Sequence, residues 1–170
     1  MQKTIPTAIA LLAAALMQAM FAPYLSLGKA TPNFLLLVVI TLALVQGPTP
    51  GASAGFIAGL LFDLLGTGAV GPMALVLTVI GYLAGTLHEQ MFAEGWLLPL
   101  TVLAAAALAA EVVYGALLGV LGEGGPFFSA LITKMFPRVL YNVVLALLVY
   151  PPLARVLKSD QTLTRFQRLG

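Results

Sequence analysis

Long apolar runs alternate with short links rich in glycine and proline along the whole chain. Six runs are long enough to be candidate membrane spans, judged against a hydrocarbon core of about 30 Å. They cover Ile5 to Ala22, Phe34 to Gln46, Ala52 to Leu65, Pro72 to Leu87, Leu97 to Leu121 and Val139 to Leu157. The pattern predicts an all-α integral membrane protein, with residues 1–170 forming a single domain built as a six-transmembrane-helix bundle.

The second and third runs are shorter than the roughly 20 residues that a spanning helix needs. They are separated only by the segment G-P-T-P-G at 47–51. A re-entrant hairpin, which enters and leaves the membrane on one side, is therefore an alternative for this pair. The expected number of spans is five or six.

Glycines recur every four residues on three of the predicted helices, and the longest series ends at Asp63. Positions four apart share one helix face, where glycine lets a second backbone approach closely, and such packing is a main attraction between helices in lipid. We expect these faces to pack against protein, within the chain or against a partner helix. The candidate interface glycines are Gly51, Gly55, Gly59, Gly81, Gly85, Gly115 and Gly119.

Polar groups inside a span are costly and normally have a partner or a function. The candidates are Asp63, Glu111 and Arg138, with Asn142 one turn after the arginine. We expect an ion pair between Asp63 and Arg138 if both lie at one depth. Glu111 is expected to be a buried acid bonded to Tyr114, Asn142 or a backbone carbonyl, and a proton or cation site is the alternative.

The composition argues against an enzyme. The chain is 61% hydrophobic and 8% charged, has one histidine and contains no cysteine. These counts exclude disulfides, thiolate metal sites and multi-histidine sites, and no serine-hydrolase or phosphate-loop motif occurs. We expect no catalytic residue, no metal, no cofactor and no nucleic-acid partner.

The distribution of Lys and Arg predicts the orientation, because these residues accumulate in cytoplasmic segments. With six spans, both termini lie on one side, which then holds five cations against three on the other. The five are Lys3, Arg155, Lys158, Arg165 and Arg168, and the three are Lys29, Lys134 and Arg138. Both termini are therefore predicted to be cytoplasmic.

Four segments match a known pattern in order and spacing: T-P-N-F-L-L-L-V-V at 31–39, G-F-I-A-G-L-L-F-D-L-L-G at 55–66, V-G-P-M-A-L at 70–75 and G-Y-L-A-G at 81–85. Together they resemble the MreD family of rod shape-determining membrane proteins. The resemblance assigns Pro32 and Asn33 to the family's start of the second span. It assigns Gly55, Gly59 and Asp63 to the family's third-span motif and Gly71 to the glycine after the outer loop. Residues 97–170 resemble the family in hydropathy only.

The resemblance implies a non-enzymatic scaffold of the bacterial inner membrane that takes part in cell elongation and peptidoglycan synthesis. It implies binding to MreC and, through MreC, association with MreB, RodA and a class B penicillin-binding protein, in contact with membrane lipids. The family fold is similar to the substrate-binding subunits of energy-coupling-factor transporters. We expect a groove bordered by the glycine ridges to accept the partner's transmembrane helix.

A small-molecule-binding subunit of an energy-coupling-factor-type transporter is the alternative function. It requires a polar, aromatic-lined pocket on the outer side, whereas the outer links offer few donors or acceptors. A lipid-carrier transporter is a third possibility, with Lys134 and Arg138 as its phosphate contacts.

Overall fold

The chain is helical throughout the part described by a computed structural model, which comprises residues 4–26, 31–87, 97–122 and 136–166. No strand occurs within these ranges, so the all-α prediction is confirmed. The six helices are α1 (Thr4–Met20), α2 (Phe34–Gln46), α3 (Pro48–Leu65), α4 (Pro72–Thr86), α5 (Leu97–Val120) and α6 (Phe136–Phe166).

Within the described residues, two helices are long and apolar enough to cross a membrane. These stretches are Pro99–Val120 in α5 and Phe136–Arg155 in α6. α1, α2 and α4 are apolar but shorter, and the 13 residues of α2 extend only about 20 Å at 1.5 Å per residue. The number of spans stays a prediction. So does the orientation, because among the cations on which it rests only Arg138 and Arg155 have described side chains.

α2 begins and ends at the predicted residues because both ends carry strong signals. Asn33 precedes the helix, and its side-chain Oδ1 accepts a hydrogen bond of 3.0 Å from the Leu36 N–H. Gly47 ends the helix with a φ of +100°, a conformation that favours glycine. α3 then begins at Pro48, four residues before the predicted run, because proline is tolerated in the first turn, where an N–H has no partner within the helix.

α2 is the central helix of the bundle. All residues from Phe34 to Val45 are buried, and α2 contacts each of the other five helices. A helix that is apolar all round is expected in such a position. The remaining helices surround it, with α3 and α4 on one part of its circumference and α5 and α6 on another.

α6 is the longest helix, with 31 residues, and it contains Pro151 and Pro152. Proline lacks an N–H, so the carbonyl groups of Leu147 and Leu148 have no intrahelical donor four residues later. Both leucine side chains are exposed. The outward face of α6 therefore carries apolar side chains at these positions, together with the two backbone carbonyl groups as hydrogen-bond acceptors.

Candidate functional site

α3 and α4 are antiparallel and meet through their glycines. A Cβ added to Gly55 would lie 2.6 Å from the carbonyl carbon of Leu77, and one added to Gly59 would lie 2.6 Å from the Ala74 nitrogen. Real Cβ atoms essentially never come within 3.0 Å of another heavy atom. The two helices are thus in direct backbone contact, and no side chain fits between them.

The same contact continues toward the start of α3. A Cβ on Gly81 would lie 2.8 Å from the carbonyl carbon of Gly51, and one on Gly85 would lie 2.6 Å from that of Gly47. The Gly51 position also faces α2, where its Cβ would lie 2.6 Å from the Ala43 Cβ. The glycine ridges of α3 and α4 therefore face each other, and the expected groove for a partner helix between them is absent because the chain itself fills it.

The third glycine series, on α5, has different surroundings. Gly115 is half-buried, and Gly119 is exposed. A Cβ added to Gly119 would meet nothing within 4 Å. This glycine makes no close helix contact within the described part of the chain.

Asp63 caps the start of α4. Its side-chain Oδ2 accepts hydrogen bonds from the N–H groups of Gly71 (2.8 Å), Met73 (3.1 Å) and Ala74 (3.2 Å). The first N–H groups of a helix have no partner within the helix and form its positive end, so a carboxylate is well suited to them. Gly71 turns the chain into this arrangement with a φ of +122°.

The expected ion pair between Asp63 and Arg138 is wrong. The carboxylate of Asp63 is 3% exposed and is occupied by backbone N–H groups of α4. Arg138 Nη1 instead lies 3.2 Å from Glu111 Oε2, which joins α5 to α6. Glu111 is 3% exposed and the Arg138 side chain 23% exposed, so the pair is largely shielded from its surroundings.

Asn142 and Asn33 connect α6 to the start of α2. Asn142 is fully buried, and its Oδ1 accepts a hydrogen bond of 2.8 Å from the Asn33 N–H. Asn33 in turn caps its own helix at Leu36. The asparagine of the family motif is therefore both a helix cap and a contact to α6.

Gln18 holds the same helix start from the α1 side. Its Nε2 donates to the Pro32 carbonyl at 3.1 Å, and its Oε1 accepts from the Phe34 N–H at 2.9 Å. Gln18 was not among the residues singled out by the sequence. The available signal was a single amide in an otherwise apolar run, which does not indicate a partner.

Two donors of this polar cluster have no acceptor. Arg138 Nε and Asn142 Nδ2 are buried and make no hydrogen bond. An unsatisfied buried donor costs about 1–3 kcal/mol. The polar cluster formed by α5, α6 and the start of α2 therefore leaves hydrogen-bond donors unsatisfied, in contrast to the Asp63 cap.

The family profile described as rod shape-determining protein MreD matches residues 1–159 of the 170-residue chain. The chain belongs to the MreD family. No match was found among curated proteins or among solved structures.

Membership of the MreD family implies a role in rod shape determination. The matched range extends well past residues 30–90, so α5 and most of α6 are included with their Glu111–Arg138 pair. Together with the two apolar helices of sufficient length, MreD membership indicates a membrane protein. Within the described ranges no group of three His, Cys, Asp or Glu side chains is placed to hold a metal ion.

Proposed function

We propose that this MreD-family chain is a non-enzymatic scaffold of the bacterial cell-elongation complex and binds MreC by transmembrane helix packing. Through MreC it is associated with MreB, RodA and a class B penicillin-binding protein, and so supports peptidoglycan synthesis. The family match over residues 1–159 carries this proposal. Further support comes from Asp63, Glu111 and Arg138, each of which binds another group of the chain itself, as expected of structural residues.

The proposed topology has six spans in the inner membrane, with both termini in the cytoplasm and a fold similar to energy-coupling-factor substrate-binding subunits. In this topology, the end of α5 at Val120 lies on the periplasmic side. The soluble part of MreC is expected on that side too. A partner helix that packs near the end of α5 would therefore connect directly to it.

The face that the chain leaves open on α5 suits such a partner. Its small exposed residues are Ala105, Ala109, Ala116 and Gly119. Small residues on one face allow the backbones of two helices to approach closely in lipid. We place MreC on this face, because the glycines of α3 and α4 already contact each other.

Co-purification with MreC from the same organism, in mild detergent, tests the proposal. Gly119→Leu adds a large side chain where no atom lies within 4 Å, so the fold should survive and the complex should be lost. Ala13→Leu is the matched control, because Ala13 is an exposed small residue on α1. It should leave the amount of bound MreC unchanged.

Retention of MreC by both variants would refute the α5 face. Absence of a complex with the unaltered chain would refute the scaffold function. If a specific small molecule other than a membrane lipid then remained bound through purification, the alternative function as a transporter binding subunit would replace the scaffold function. No site among the described residues favours that alternative, since the cavity between α1 and α3 has no aromatic side chain in its described lining.

A further inference from the structure

A cavity of about 600 Å³ lies between α1 and α3 and reaches Gln46, the last residue of α2. Its buried floor includes Leu11 and Ala54, which are 4% and 1% exposed. Its rims include Leu12 and Ile57, whose side chains are 62% and 50% exposed. The cavity is therefore open along its side but has a floor inside the protein.

Polar side chains line only one end of this cavity. Thr7, Gln46, Thr49 and Ser53 lie where α1 and α3 begin and where α2 ends. Thr7 and Gln46 are hydrogen-bonded to each other, with Oγ1 and Nε2 3.1 Å apart. One to three turns further along both walls, the lining is apolar.

The apolar part is made by Leu11 and Leu12 on α1 and by Ile57 and Leu61 on α3. From Thr49 to Leu61 the wall extends about 18 Å at 1.5 Å per residue. Half of a 30 Å hydrocarbon core, the depth reached by the chains of one leaflet, is about 15 Å. The cavity thus has the length and the polarity gradient of one lipid chain with its polar linkage.

The absence of charged side chains from the described lining further limits the class of ligand. None of the described lining residues is ionisable, and the described side chains at the polar end carry hydroxyl and amide groups. Ser53 Oγ donates to the Pro50 carbonyl at 3.0 Å, and Thr7 is bonded to Gln46, so the donors that complement an uncharged ester come from the Gln46 amide and the Thr49 hydroxyl. Recognition by this end is therefore expected to be independent of the headgroup charge.

The volume of the cavity is that of a small-ligand site. At about 600 Å³ it lies in the range of about 300–1,000 Å³ that is typical of such sites. A whole transmembrane helix, about 10 Å in diameter and 30 Å long, is too large to be enclosed by it.

We propose that this cavity binds one acyl chain of a glycerolipid, with the ester linkage of that chain at Thr7, Gln46, Thr49 and Ser53. This site is separate from the proposed MreC face on α5 and does not depend on it. The lipid fills the space between α1 and α3 and links the two helices.

Native mass spectrometry of the purified protein tests this site with two probes, dioleoylglycerol and dioleoylphosphatidylglycerol. Both should bind as one molecule per chain, and raising the salt from 50 to 500 mM should not change the bound fraction, because no described lining residue is charged. Binding of phosphatidylglycerol alone, with loss at high salt, would overturn the proposal in favour of an anionic-headgroup site. Dimers without bound lipid would overturn it in favour of a second copy of the chain.

Ala8→Phe is the blocking variant, because Ala8 is exposed and lines the cavity. The added ring should occupy space at the polar end of the cavity, where the ester linkage is placed, and lower the apparent affinity for both probes about tenfold. Ala13→Phe places the same ring on an exposed position of α1 that does not line the cavity and should bind like the unaltered chain. Equal binding by both variants would refute the site.

Ile57→Phe repeats the test from the opposite wall. Ile57 is half exposed, so this change does not depend on how α1 tolerates substitution. It should also weaken binding of both probes while the melting temperature of the lipid-free protein stays unchanged. Unweakened binding by this variant would contradict the proposal even if Ala8→Phe failed to fold.

Discussion

Two helix pairs in this protein are joined by opposite means. α3 and α4 touch through backbone at Gly51, Gly55 and Gly59, and a carboxylate saturates the start of α4. α5 and α6 are joined by the ion pair between Glu111 and Arg138, beside two buried donors that lack acceptors. The first pair leaves no space for an added side chain at these glycines. The second is joined by an ion pair together with buried apolar side chains such as Leu103, Ala107 and Ala146.

α5 and α6 also expose much of their apolar surface. In the apolar stretches of α5 and α6, only 28% and 11% of the residues are buried within the chain. Their outward faces therefore contact lipid or other proteins. The face of α5 that we propose for MreC is one of them.

The largest effect is expected from adding a methyl group to the α3–α4 contact. In Gly55→Ala the new Cβ would lie 2.6 Å from the Leu77 carbonyl carbon, which is backbone and moves only with its helix. Such overpacking should lower the free energy of unfolding by about 3 kcal/mol or more. Titration with sodium dodecyl sulfate from mild-detergent micelles measures it.

Gly119→Ala is the matched control on α5. Its Cβ would enter open space, so the free energy of unfolding should change by no more than about 0.5 kcal/mol. Equal losses for the two alanine variants would show that the close contact of α3 and α4 has no special energetic weight. That result would contradict the proposed difference between the close-packed α3–α4 pair and the α5–α6 pair.

The next largest effect is expected at the ion pair. Arg138→Met leaves the carboxylate of Glu111 buried without its partner and should cost about 2–3 kcal/mol, somewhat less than a fully buried pair because the arginine is 23% exposed. Glu111→Leu combined with Arg138→Met removes both charges and should recover part of this loss. A double-mutant cycle should give a coupling energy of about 1–3 kcal/mol. Strict additivity would mean that the pair does not join α5 to α6.

Asp63→Asn should have a smaller effect, about 1–2 kcal/mol. The asparagine keeps one acceptor oxygen but points an NH2 group toward N–H donors and loses the charge that strengthens these bonds. Hydrogen exchange should become faster at the amides of Gly71, Met73 and Ala74, which now bond to the carboxylate. Faster exchange in α6 instead would contradict this role, because it would mean that Asp63 stabilises the α5–α6 pair and not the start of α4.

The sequence predicted helix positions well because the apolar runs and their caps are local signals. The i, i+4 glycine pattern correctly indicated one face on α3, since that follows from helix geometry alone. It did not reveal what lies opposite that face. The register between two helices depends on contacts distant in the sequence, such as Gly55 with Leu77, that no local pattern records.

The partners of the polar residues were harder to predict for a related reason. The sequence predicts Arg138 as the partner of Asp63 if both lie at one depth, whereas the actual donors to Asp63 are backbone N–H groups, which every sequence contains. Arg138 forms its ion pair with Glu111. Glu111 precedes and Arg138 follows the link between α5 and α6, so adjacency along the chain was the better guide to this pair.

The smallest effect concerns Gln18, which joins α1 to the start of α2. Gln18→Met keeps the length of the side chain and removes both bonds, to the Pro32 carbonyl and to the Phe34 N–H. The freed backbone groups are only partly shielded, so the expected loss is about 1 kcal/mol. Thermal unfolding in mild detergent measures it.

Gln46→Met is the matched control at the opposite end of α2, where the amide bonds to the side-chain hydroxyl of Thr7 and not to backbone. A hydroxyl can rotate toward another acceptor, so this loss should be smaller, about 0.5 kcal/mol. A larger loss of stability for Gln46→Met than for Gln18→Met would mean that the polar contact at the end of α2 stabilises this helix more than the contacts at its start. The polar contacts of Gln18 and Asn142 would then contribute less to stability than the contact at the end of α2. In that case the helices α1 and α3, which lie beside Gln46, would have to be included in the comparison of the two helix pairs.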